Sequence, residues 1–149
     1  MQTDRNKNKD LLYLLRILEA IGKIIFYAKS YNTAEDFIFS NHQKDYNASL
    51  LLLMQIGEQS VRISTTTKNN SPQINWQTIK NFRNRIAHDY VNIDKLIVFN
   101  IIKKDLPILQ NQIEGCIKLH IEKNIFLKEE LIISKSSIFY QHINFSKFE

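Results

Sequence analysis

The sequence predicts an all-α protein, an antiparallel helical bundle of four to six helices. Three observations carry this. Apolar residues recur at three- and four-residue spacing over most of the chain, the period of a helix with one buried face. Only three Gly and two Pro stand among 149 residues, too little punctuation for a β-sandwich or barrel. Apolar residues make up 44% and charged residues 23%, the balance of a folded domain, and the length suffices for a core without staples.

Taken in order, Leu11, Leu14, Leu15, Leu18, Ile21, Ile25 and Ala28 trace a long amphipathic helix, from Asp4 or Asp10 to about Tyr31. Thr33, with Asp36 three residues on, resembles a capping box and opens a short helix to about Ser40. Asn41-His42 breaks it. A third helix spans about Gln43 to Ser64, with Leu50, Leu53, Met54, Gly57 and Val61 on its face and the Leu50–Leu53 run buried on most sides. Thr65 to Pro72, rich in Ser, Thr and Asn, reads as the main exposed loop. Asn75-Trp76 opens a fourth helix carrying Trp76, Ile79, Phe82 and Ile86, interrupted at Asp89 to Asn92. Asp94 caps a fifth. Pro107 marks a kink or the first turn of a sixth, running to about Leu119. Residues 122–149 are read as an extension of unclear structure: Leu127 to Ile133 suits a helix, Ser137 to His142 a strand or helix. Residues 1–121 form the helical domain.

The chain carries a formal charge of +5, which invites an anionic partner. The excess is local. Arg62, Lys68, Lys80, Arg83 and Arg85 fall in residues 59–88 with no acid among them, whereas the segments on either side balance. One cysteine excludes an internal disulfide framework and a Cys-based zinc site, and no His, Cys or carboxylate spacing suggests a metal. The polar N-terminus lacks the features of a secretory signal, and no apolar run is long enough to span a membrane. The reading is a cytoplasmic protein.

The octet Arg83-Asn84-Arg85-Ile86-Ala87-His88-Asp89-Tyr90 concentrates two guanidiniums, an amide, an imidazole, a carboxylate and a phenol. These types suit chemistry on a phosphodiester. Arg holds phosphate oxygens through a planar fork and favours charge gained in the transition state. His takes or gives the proton that RNA cleavage through the 2′-OH requires. Asn84 and His88, four apart, share a helix face, as do Arg85 and His88, three apart. Arg83 and His88, five apart, are offset by about 140°, so one helix does not aim both at one atom. A second copy brought in by a two-fold axis completes the set. The bland alternative is a helix whose last turn holds a dipole-favoured His and solvated Arg side chains.

The pattern Arg83-Asn84-x3-His88 resembles the Arg-polar-x3-His signature of the HEPN superfamily, and His88-Asp89-Tyr90 extends it to the form seen in HepT-like (DUF86) toxins. Leu53-Met54-Gln55-Ile56-Gly57-Glu58 is similar to the family's Ile-Gly-Glu helix, and the likeness runs from about Leu11 to Leu119. It implies an all-α two-fold dimer whose motifs line one cleft. The implied activity is that of a metal-independent endoribonuclease, without cofactor, the toxin of a bacterial type VII toxin–antitoxin pair. The implied partners are RNA and a minimal nucleotidyltransferase antitoxin that transfers AMP from ATP to Tyr90. By carry-over Arg83 stabilises phosphate, His88 is the general acid/base and Asn84 assists. Beside them, Arg85 and Lys80 are assigned from their charge to RNA or phosphate binding, with a solvated surface role as the alternative for Arg85. The alternative is a non-catalytic substrate-binding or scaffold subunit of a small nucleotidyltransferase.

Other residues take structural readings. Gly57 marks a close helix–helix contact, because Gly in a helix costs about 1 kcal/mol against Ala. Glu58 pairs with Arg62 one turn on, Asp89 caps the following turn, Trp76 belongs to the core or an interface, and Cys116 packs as a small apolar group.

Overall fold

The computed structural model describes residues 9–149. Its helices are α1 (Lys9–Ala28), α2 (Ala34–Phe39), α3 (Lys44–Arg62), α4 (Thr65–Asn70), α5 (Trp76–Asp89), α6 (Lys95–Asn100), α7 (Leu106–Glu122) and α8 (Lys128–Lys135). No strand occurs among the described residues, as the all-α reading requires. The Asp4 start proposed for the first helix lies outside the described residues.

α1 is the central element. Leu14, Leu15, Ile17, Ile21 and Ile24 are fully buried, and α3 and α7 pack against it. Asp10 and Glu19 are buried on the same helix. α3 in turn carries α5. The predicted caps form: Thr33 accepts from the Asp36 N–H, Asn75 from Thr78, and Asp94 from Leu96 and Ile97. Each satisfies a helix-end donor that has no intrahelical partner. The break after α2 is sharper than a simple stop. Asn41, His42 and Gln43 all take left-handed backbone, with φ of 53°, 58° and 64°, which turns the chain into α3.

Several local expectations fail for physical reasons. Thr65–Pro72 is no loop: residues 65–70 form α4, with Thr67 and Ser71 buried. Ser64 caps it, accepting from the Thr67 N–H. The Asp10 carboxylate, reaching over from α1, accepts from the Ser64 N–H at 3.1 Å, the Ser64 hydroxyl at 2.5 Å and the Thr67 hydroxyl at 2.7 Å. The Leu50–Leu53 run is not buried all round, since Leu51 is an exposed side chain. Between α6 and α7 the helix never breaks; residues 101–105 form a wider π turn. Pro107, in the first turn of α7, lacks an N–H and crowds the carbonyl four residues earlier, and the wider turn accommodates both.

The segment after α7 adopts α8, a series of turns and a 3-10 turn at Phe145–Phe148. Residues 137–142 are neither strand nor helix. Ser137 accepts from the Phe139 and Tyr140 N–H groups in local turns, and Glu19 holds the end of the segment: one carboxylate oxygen accepts from the Gln141 N–H at 3.2 Å and contacts the His142 ring at 2.8 Å. The other oxygen accepts from the His142 N–H at 2.9 Å. Backbone groups bound this way make no ladder. Phe126, Leu131, Phe145 and Phe148 are buried in the same core as α1.

Candidate active site

The octet ends α5. The helix stops at Asp89, where φ reaches −156°, and residues 90–92 form a 3-10 turn. Four of the octet's side chains line one open cleft of about 310 Å3: Asn84, Arg85, His88 and Asp89, with Asn92 and Ile93. Arg85 and His88 are exposed, and Asn84 is half-buried. Asp89 does not cap the next turn, as its side chain makes no cap bond. Its carboxylate accepts from the Asn92 side-chain amide at 2.8 Å, which fixes the cleft's edge.

Arg83 lies elsewhere. It faces α3, where a Cβ on Gly57 would overlap the Arg83 Cβ and meet its Cγ at 2.6 Å. Gly57 is therefore the close helix–helix contact its cost implied. The Arg83 Nη1 pairs with Glu58 at 3.3 Å, so Glu58 serves Arg83 and not Arg62. The partners are 25 residues apart, and no local spacing announces the pair. Burial leaves the Arg83 Nε without a hydrogen-bond partner, a buried donor that normally has one.

Tyr90 is 62% exposed and borders a different groove, of about 470 Å3, with Asn47, Leu50, Leu51, Met54, Ile86 and Ala87. Gly57 meets Arg83, and residues 47–54 meet 86–90, so α3 and α5 run antiparallel. Tyr90 thus falls on the α3-facing side of α5, the side that holds Arg83. The octet is divided by one helix: Asn84, Arg85 and His88 on one flank, Arg83 and Tyr90 on the other. The 140° offset read from spacing is what separates them.

Lys80 is exposed and lies outside the cleft. It stands near Lys68 of α4, whose ammonium is pushed below its usual value by burial and by the Lys80 charge. Lys68 also sits 5.8 Å from the centre of the Trp76 ring. Trp76 is half-buried against the core, as expected, with its indole N–H buried and unpartnered. The lysine pair is a cationic neighbour of the motif that spacing alone does not reveal. Among the described residues no group of three or more His, Cys, Asp and Glu is placed to hold a metal ion, and no helix is long and apolar enough to cross a membrane.

Comparison with known proteins gives the family. A family model described as ribonuclease HepT-like matches residues 17–115. A Thermococcus cleftensis protein provisionally named ribonuclease HepT is 30% identical over 110 residues, 74% of this chain and 96% of its own. A Methanocaldococcus jannaschii protein provisionally named an RNase is 28% identical over 102 residues, 68% of this chain and 91% of its own. A second protein from that organism, with a similar provisional name, is 27% identical over 106 residues, 71% and 85% of the two chains. No solved structure gives a significant match. The match spans α1 to α7 and includes the whole octet, and the chain belongs to the HepT-like ribonuclease family.

Proposed function

We propose that the protein is an RNA-cleaving toxin that acts without a metal ion through His88. The observation that carries this is the convergence of Asn84, Arg85 and His88 on one open cleft. That cleft lies at the end of the segment holding the chain's entire excess of positive charge. In the proposed reaction the His88 imidazole takes the 2′-OH proton, the freed oxygen attacks phosphorus, and the bond to the 5′-oxygen breaks. A proton returns to that leaving oxygen, and a 2′,3′-cyclic phosphate and a 5′-hydroxyl result. Arg85 meets the phosphate and Asn84 orients the imidazole or the substrate. Lys80, farther along α5, and its neighbour Lys68 of α4 hold the RNA backbone.

Arg83 acts from the other flank, steadied by Glu58. A two-fold pair of chains supplies the Arg83 that a single cleft lacks, so the active unit is a dimer. Tyr90 is the site of AMP transfer by a nucleotidyltransferase antitoxin. Its exposure suits an incoming enzyme, and the added phosphate carries negative charge on the side of α5 that holds Arg83.

The test uses purified full-length chain, labelled RNA and EDTA. His88→Ala lowers the cleavage rate at least ~100-fold, the lower end for removing a general acid/base, and Arg83→Ala does the same. Toxicity on expression disappears with either. Cleavage unchanged by His88→Ala, or lost to EDTA in the unsubstituted protein, overturns the proposal. Binding of nucleotide or nucleotidyltransferase with no cleavage points to the scaffold reading.

A further inference from the structure

The segment after α7 leaves an apolar surface open. Ile132, Ile133, Ile138 and Phe139 are 62, 70, 80 and 77% exposed. Single exposed apolar side chains are ordinary, whereas a cluster of this kind marks a binding surface. Ile133 and Phe139 form one wall of a groove of about 630 Å3, whose opposite side is made by α1 and α3. The groove also holds Arg16 and Lys23 of α1. The acid between them, Glu19, is already engaged by Gln141 and His142. What remains open is a trough with Leu12, Leu52, Ile133 and Phe139 along it, edged by Lys23 and by Arg16, which also donates to the Gln59 side chain at 3.5 Å.

The chain itself carries the matching shape. On α8, Leu131 is buried. Glu129, Ile132 and Ile133 are spaced three and four apart on the outward side, and all three are exposed. One helix face therefore presents both an apolar pair and an acid. We propose that this surface is a second two-fold interface between copies of this chain. The α8 of each copy seats against the other's groove, and Glu129 of one copy faces Arg16 and Lys23 of the other. Such a contact is self-complementary and closes on itself, so it makes a defined pair and not a filament.

The area is sufficient. At roughly 100 Å2 for each Ile and 150 Å2 for Phe139, and about three-quarters exposure, the four residues offer on the order of 350 Å2 per copy, met by a similar area of the partner's groove. With the groove walls and Glu129, the pair exceeds about 1,000 Å2, the lower range for specific association. The exposed apolar cluster lies beyond residue 115, where the family match ends, and no residue of the octet lines the groove, so the surface is separate from the motif and does not depend on the proposed ribonuclease activity.

The experiment is sedimentation equilibrium on the full chain across concentration, with RNA cleavage measured in parallel. Phe139→Glu and Ile133→Glu replace exposed side chains, so both fold with unchanged helical circular dichroism. Each halves the assembled mass and weakens association at least ~10-fold, as expected for a central apolar anchor. If the motif also pairs two chains, the mass falls from tetramer to dimer; if it does not, from dimer to monomer. Glu129→Arg weakens association, and adding Arg16→Glu restores it. A wild-type mass untouched by both Phe139→Glu and Ile133→Glu overturns the proposal. So does assembly that appears only when a different protein is added. Loss of cleavage by His88→Ala bears on the ribonuclease reading alone.

Discussion

Replacing Gly57 by Ala tests how Arg83 is held. The change should stabilise an exposed helix by about 1 kcal/mol, because Gly costs that much against Ala. At Gly57 the added Cβ would overlap the Arg83 Cβ and meet Cγ at 2.6 Å. The Cβ is bound to the backbone and cannot swing aside as the end of a long side chain does. α3 and α5 must therefore part, at an overpacking cost of about 1–3 kcal/mol. Gly115 is the control: nothing stands within 4 Å of its added Cβ. Gly115→Ala should then gain up to ~1 kcal/mol, and Gly57→Ala should lose about 1. The propensity term cancels between the two variants, so their difference, about 2 kcal/mol, measures the close contact directly. At roughly 4 °C per kcal/mol for a chain of this size, the melting temperatures should differ by about 8 °C. Urea unfolding gives the same difference independently. Equal stabilisation by both substitutions would refute the close approach of the two helices at this point. In the RNA assay Gly57→Ala should also slow cleavage, because the Arg83–Glu58 pair at 3.3 Å shifts with the helix.

Two further outcomes follow from buried groups. Asp10→Ala should cost about 3 kcal/mol by urea unfolding, since it removes three charge-assisted hydrogen bonds and leaves the buried Thr67 hydroxyl and the half-buried Ser64 hydroxyl with only each other; a loss under 1 kcal/mol would show that water replaces the carboxylate. Cys116 is fully buried, and burial pushes its thiol above its usual value. It should resist a thiol reagent at pH 8 in the native state and react only as fast as the protein opens; immediate labelling would show that α7 is not packed as described.

The elements readable in advance are those whose determinants are local. The α1 stripe, and the caps at Thr33, Asn75 and Asp94, depend on residues within one or two turns. α4 was unreadable for the opposite reason. Its Ser/Thr/Asn composition favours turns when nothing else acts, and the group that makes it a helix is Asp10, 54 to 57 residues away. The tail repeats the lesson, because Glu19 holds Gln141 and His142 from more than 120 residues away. An acid inside an apolar helix is the one sequence signal for such contacts. Asp10 and Glu19 both sit on the buried side of α1, where a carboxylate persists only with partners.

For the site, residue types told more than positions did. The octet was visible as a concentration of phosphate-suited groups, and the helical period separated Arg83 from His88. Spacing could not say which flank faces the bundle. The structure answers through Gly57: the residue opposite a glycine is the one drawn closest, and that residue is Arg83. The guanidinium is thus committed to the α3 interface and to Glu58, while His88 stands free in the cleft with Asn84 and Arg85. A helix that holds its cation rigidly on one flank and its imidazole openly on the other is poorly arranged to act alone. This is the arrangement on which the proposed completion by a second copy rests. The rigidity costs little, because a cation positioned by packing needs no reordering when phosphate arrives.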